Sequence, residues 1–283
     1  MTKPDKTSRK GIYLLPNLFT TGALFAGYYS IIAGIQGKFE MACICIFIAA
    51  LLDALDGRVA RLTNTQSEFG EQYDSLSDLV SFGVAPSLLM YNWSLYHLTA
   101  VHPVLGKIGW LAAFIFAVSG ALRLARFNTQ IGVIDKAYFQ GLPSPAAAAV
   151  ISSFVWICVD LELVGADLKY LALPITIITG LLMVSRFRYY SFKTIPSRDN
   201  VSFIWILLLV LIFVLLTIKT AWVLFVVFSA YAISGIVITI FSIKRKRVDK
   251  KTAKLNTQNL NANNSSTDAK KAHKDTDKKS DES

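Results

Sequence analysis

The chain has 283 residues, 53% hydrophobic and only 17% charged, with a mean hydropathy of +0.46 and a formal net charge of +10. A soluble domain carries about 25% charged residues, and here the apolar residues gather into long runs, so a soluble globular protein is excluded and an integral membrane protein expected. The positive balance sits at segment ends and in the tail, and is therefore no sign of nucleic-acid binding.

The N-terminal MTKPDKTSRKG is basic, but the apolar stretch after it offers no clear small-residue cleavage site. It reads as a first span, not as a secretory signal. Eight apolar segments follow in order, at about 12–36, 39–61, 75–96, 108–127, 144–161, 169–185, 201–219 and 221–243. Each approaches or exceeds the roughly 20 helical residues that cross ~30 Å of hydrocarbon. The expectation is an all-α polytopic bundle of about eight transmembrane helices. The second, third and fourth segments carry charges at one end and are expected to face the bundle interior. Pro143 and Pro145 open the fifth, whose small residues allow close packing. The seventh and eighth are wholly apolar and read as lipid-facing scaffold. Cys43, Cys45 and Cys158 lie within apolar runs and read as buried small hydrophobes, not as disulfide partners or zinc ligands. His97, His102 and His273 form no ligand cluster.

Positive charges set the orientation. With the N-terminus inside, inner segments hold Lys3, Lys6, Arg9 and Lys10; Arg58 and Arg61; Arg123, Arg126 and Lys136; Arg186, Arg188, Lys193 and Arg198; and the run from Lys244. The outer loops hold one each: Lys38, Lys107, Lys169 and Lys219. Both termini are thus expected in the cytoplasm, with the protein in the cell (inner) membrane. Residues 1–11 form a cytoplasmic segment, 12–243 the membrane domain, and 244–283 a tail expected to be disordered. That tail has 12 basic and 6 acidic residues. It suits either attraction to anionic headgroups or a plain topology anchor.

Between the second and third segments runs DALDGRVARLTNTQSEFGEQYDSLSD, Asp53 to Asp78. Carboxylates at membrane depth cost about 2.5 to 3.5 kcal/mol each on insertion scales, so something must offset Asp53, Asp56, Asp74 and Asp78. At about 100° per residue, Asp53, Asp56, Gly57, Ala60 and Arg61 share one helix face. Gly70, Asp74 and Asp78 share a face of the next helix, and a polar turn joins the two. Converging carboxylates repel unless cations neutralise them, and hard oxygen donors favour Mg2+ or Mn2+. A salt-bridge network with Arg58 and Arg61, or an ion or proton pathway, are the other readings of such acids.

The stretch reads D-x2-D-G-x2-A-R-x8-G-x3-D-x3-D without departure and resembles the signature of the CDP-alcohol phosphatidyltransferase family. The resemblance implies a two-metal site on the cytoplasmic side, with Asp53, Asp56 and Asp74 holding one ion and Asp53, Asp74 and Asp78 the other. Asp78 would also be the general base. Gly57 and Arg61 match the family's nucleotide and phosphate contacts, Ser67 a further polar contact, and Asn17 and Thr20 of PNLFT the nucleotide-proximal element. For Asn17 and Thr20, ordinary helix capping or helix–helix hydrogen bonding is equally open. The family also implies direct transfer and a homodimer.

Further stretches, EQYDSLSDLVSFGVAPS, ALRLARFNTQ and YFQGLPSPAAA, resemble the phosphatidylserine synthase branch, strongly over about 12–149. CDP-diacylglycerol and L-serine are then the expected substrates. Arg123 and Arg126, three apart on a helix, offer guanidinium forks suited to a carboxylate or phosphate, and Asn128 a neutral partner. Positive-inside anchoring and headgroup binding are the other uses of these arginines. Another acceptor alcohol, such as glycerol 3-phosphate or inositol, is the nearest alternative reaction. A divalent-ion transporter is the alternative from another class.

Overall fold

A computed structural model of the chain describes residues 14–63, 65–129, 138–190 and 219–241. The first two helices, α1 (Leu14–Ile35) and α2 (Phe39–Leu62), form a hairpin. Its turn is set by Gly37, whose φ of 75° suits a residue without Cβ. There Lys38 N–H reaches Ala33 O at 2.9 Å and Gly37 N–H reaches Gly34 O at 3.2 Å, satisfying carbonyls that the helix end would orphan.

The next helical run is compound. α3 (Glu68–Asp78) passes through a π-helical turn (Leu79–Val84) into α4 (Ala85–Trp93). Ala85 N–H bonds back to Val80 O, and the following Pro86 has no N–H to continue an α-helical ladder, so the register loosens at this point. A 3-10 turn (Leu95–Ala100) leads into α5 (Pro103–Thr129). Strand β1 (Tyr138–Gln140), α6 (Ser144–Asp160), α7 (Lys169–Val184) and strand β2 (Arg188–Tyr190) follow, and α8 spans Thr220–Phe241. The chain divides into a compact unit Met1–Gly235 and a second unit Ile236–Ser283, of which only the helical residues 236–241 are described.

The helical class expected from sequence holds, with one addition. β1 and β2 pair antiparallel, Phe139 opposite Tyr189, and bring the entry of α6 beside the exit of α7. Gly141, at φ 81°, turns the chain off the ladder so that Leu142 N–H reaches Leu182 O at 3.0 Å. The buried Tyr189 donates its hydroxyl to Ala232 O of α8 at 3.1 Å. The third expected segment begins earlier than its apolar run, at Glu68 instead of residue 75. The first turns of α3 are polar, and capping by Ser67, not hydropathy, starts them. The seventh segment, apart from Lys219, and the tail lie outside the described residues.

Among the described residues, three helices are long and apolar enough to cross a membrane: Pro16–Ile35, Pro103–Thr129 and Thr220–Phe241. α2 has comparable length, but Asp53, Asp56, Arg58 and Arg61 crowd its C-terminal half. Among the described helices α6 is the most thoroughly enclosed, its alanines Ala146 to Ala149 all buried. α8 shows the opposite pattern, with Val226, Val227 and Ile233 exposed as a scaffold helix requires. All three cysteines are buried and free.

What positions the site is a polar seam on α1. Ser77 donates to Thr20 O at 3.2 Å and Ser81 to Ala23 O at 3.1 Å, both buried. The seam is tight: a Cβ on Gly27 would lie 2.7 Å from Ser81 Cα. Serine hydroxyls against helix carbonyls, with glycine opposite, are a common way for apolar helices to associate closely.

Candidate active site

The C-terminal turns of α2 carry Asp53, Asp56, Gly57 and Arg61. The helix then stops at Thr63, whose N–H bonds back to Val59 O at 2.9 Å, and Thr65 N–H bonds to Ala60 O at 3.0 Å. This compact turn delivers Ser67 as the N-cap of α3, accepting from Gly70 N–H at 3.1 Å. Two helical turns later the chain presents Asp74 and Asp78. The eight-residue gap in the motif is thus one loop plus the first residues of a capped helix.

Asp53, Asp56 and Asp74 each bring an oxygen within 4.8 Å of the others. Asp56 is buried and its two neighbours are half-buried. Asp74 Oδ1 is buried yet accepts no hydrogen bond among the described residues. An orphaned carboxylate oxygen beside two further carboxylates is unfavourable by itself, but it is the donor set that a hard divalent cation requires. The residues therefore fit such an ion. Asp78 is not one of the trio but lies within electrostatic reach of Asp53 and Arg123. The two acidic helices do not lean mainly on each other. Both pack on α1.

The other expected residues fall into distinct surroundings. Gly57 is exposed, and a Cβ there would meet nothing nearer than an Arg61 guanidinium nitrogen at 4.0 Å. Close helix packing therefore does not account for this glycine. Arg61 is likewise exposed. Asn17 approaches the start of α3, its Oδ1 3.6 Å from where a Gly70 Cβ would sit. The Thr20 hydroxyl is buried and lies 2.8 Å from Asp56 Oδ2.

The α5 residues separate as well. Arg123 donates to the buried Ser144 Oγ at 2.7 Å and lies within electrostatic reach of Asp78. Arg126 donates to Gln140 Oε1 of β1 instead. Asn128 donates to Ser75 Oγ of α3 at 3.1 Å. Ser75, Ser77, Gln140 and Ser144 were not singled out from the sequence. The spacing of Ser77 and Ser81, four apart on one face, was the available signal for the seam. Nothing local in the sequence marks Ser144 as the partner of Arg123.

The chain is similar in sequence to known proteins over most of its length. A family model for CDP-alcohol phosphatidyltransferase matches residues 13–183. A CDP-diacylglycerol–serine O-phosphatidyltransferase of Helicobacter pylori strain J99 is 39% identical over 230 residues, covering 81% of this chain and 92% of that protein. One of the same name from Methanocaldococcus jannaschii is 37% identical over 177 residues, covering 62% and 74% respectively. An archaetidylserine synthase of Methanothermobacter thermautotrophicus is 39% identical over 177 residues, covering 62% and 69%.

Proposed function

The chain belongs to the CDP-alcohol phosphatidyltransferase family, and from that premise we propose that it transfers the phosphatidyl group of CDP-diacylglycerol to the hydroxyl of L-serine, releasing CMP and phosphatidylserine. The observation that carries this reading is the carboxylate trio with its orphaned Asp74 oxygen, with Asp78 and Arg123 within electrostatic reach of each other. The names of the relatives support serine as the acceptor.

Asp53, Asp56 and Asp74 would hold one divalent cation, and Asp53, Asp74 and Asp78 a second, Mg2+ or Mn2+. When bound, such ions neutralise the carboxylates and polarise phosphoryl oxygens. Asp78 takes the proton from the serine hydroxyl. The serine oxygen forms a bond to the phosphorus bearing the diacylglycerol as the bond from that phosphorus to the CMP oxygen breaks. CMP leaves with the electron pair. Arg123, held by Ser144 within electrostatic reach of Asp78, receives the serine carboxylate, so the hydroxyl that reacts is oriented toward the base. Arg61 and the open face at Gly57 serve the pyrophosphate and nucleotide, with Asn17 and Ser67 at the rim. Arg126 and Asn128 tie the end of α5 to β1 and α3 and shape the wall beside the acceptor.

The same reading sets the protein in the cell membrane with about eight spans, both termini cytoplasmic, the lipid substrate entering from the inner leaflet, and a homodimer as the working unit. The test is incorporation of labelled serine into lipid by the purified protein, with and without CDP-diacylglycerol and with Mg2+, Mn2+ or a chelator. Glycerol 3-phosphate and inositol are run in parallel as competing acceptors. Serine-dependent CMP release in the presence of a divalent ion is expected. Release with another alcohol but not with serine would overturn the acceptor assignment.

A further inference from the structure

The two acidic helices pack on α1 more than on each other, so something other than their mutual packing must set the distance between their carboxylates. α1 is the element both rest on, and one of its residues touches both walls. Thr20 is buried, 4% exposed. Its hydroxyl lies 2.8 Å from Asp56 Oδ2 on α2, and its carbonyl accepts from Ser77 Oγ at 3.2 Å on α3. Ser77 sits between Asp74 and Asp78 in sequence. The hydroxyl has one proton, and Pro16 O, the acceptor a helical threonine commonly uses, is the more distant at 3.2 Å. The shorter distance and the charge of the carboxylate favour Asp56, 36 residues away in the chain, as its acceptor.

We propose that Thr20 is a positioning residue for the carboxylate trio: through its hydroxyl it holds Asp56 in the orientation that meets Asp53 and Asp74, and through its carbonyl it fixes α3 against the same floor. This differs from the nucleotide contact that the sequence motif suggested for it. An aspartate side chain free to change rotamer loses that freedom when it becomes a ligand, and a neighbouring hydroxyl that already fixes it removes that cost from ion binding. Partners that orient ligating side chains from behind typically contribute 10- to 100-fold in metal affinity. The inference rests on the reading of the trio as a cation site.

The experiment is direct Mn2+ binding to the purified full-length protein in detergent, with free ion counted by electron paramagnetic resonance, alongside thermal unfolding in chelator. Thr20→Val keeps the shape and removes the hydroxyl. It is expected to weaken Mn2+ binding about 10- to 100-fold while leaving the unfolding temperature in chelator near that of the wild type. Thr20→Ser restores the hydroxyl and is expected to recover binding to within about threefold of the wild type. Mn2+ binding by Thr20→Val equal to wild type, or no recovery with Thr20→Ser, overturns the proposal while leaving the transferase reading intact. A wild type that binds no Mn2+ overturns the cation site itself, and the inference with it. Should Thr20→Val fold poorly, Thr20→Ser alone decides: the hydroxyl reading requires near-normal binding in it despite the lost methyl packing.

Discussion

At the scale of single residues, the site separates groups that sequence spacing leaves equivalent. Asp78 is the acid outside the carboxylate trio and beside Arg123. Replacing it by asparagine keeps the shape and removes the base, so turnover is expected to fall at least about 10²- to 10⁴-fold while CDP-diacylglycerol still binds. Single-turnover transfer and lipid-nucleotide binding, measured on the same preparation, check this. Gly57 faces open space, so Gly57→Leu is expected to fold normally and to lose nucleotide affinity. Unchanged CDP-diacylglycerol binding in the folded variant would contradict the ligand-space reading. The two arginines now differ as well. Arg126 is engaged with Gln140, whereas Arg123 is held by Ser144 within electrostatic reach of Asp78. Arg123→Lys is expected to raise the serine KM and to erode the preference for serine over ethanolamine, because an ammonium cannot reproduce the planar fork. Arg126→Lys is expected to leave both nearly unchanged. Competitive kinetics with the two alcohols distinguish them.

At the scale of elements, the decisive unit is α3 with its π turn, gripped between α1 and α5. A Cβ on Gly120 of α5 would come to 3.4 Å from Gly83 Cα, and one on Gly27 of α1 to 2.7 Å from Ser81 Cα. The second contact is with backbone, which cannot swing aside as a long side chain can. Even Gly27→Ala must therefore push α1 from the π turn, at a cost of about 1 to 3 kcal/mol for overpacking, and it displaces the wall that carries Asp74 and Asp78. The expected result is a lower unfolding temperature together with lost transfer. The matching change at Gly37, where a Cβ meets nothing within 4 Å, tests a different physical effect. At φ 75° any side chain is strained, so Gly37→Ala is expected to lower stability modestly while leaving turnover of the folded fraction intact. Thermal scans paired with activity per folded molecule separate the two.

At the scale of the whole molecule, the charge asymmetry predicts which loops meet which compartment, and the cysteines make that testable. Cys43, Cys45 and Cys158 are all buried, so an impermeant thiol reagent finds little background. Asp167, exposed between α6 and α7, and Gln66, exposed between α2 and α3, lie in loops assigned to opposite sides. In intact cells Asp167→Cys is expected to label and Gln66→Cys to label only after permeabilisation. The reverse pattern would invert the topology and move the site out of the cytoplasm.

The sequence by itself determined the helical class and the acidic motif, because both are local. Apolar runs mark spans by their length, and helical periodicity puts Asp53 beside Asp56 and Asp74 beside Asp78 whatever else the chain does. It under-read α3, whose polar start is fixed by a cap, and it did not anticipate the β1–β2 ladder, whose strands are three residues each. Only the tertiary structure decided how the site is held. Thr20 meets Asp56 and Ser77 across 36 and 57 residues, and Arg123 meets Ser144 across 21. Such pairings follow from which helix faces pack together and how closely glycines let them approach. That depends on the joint fit of many side chains in space, and no periodicity along the chain records it.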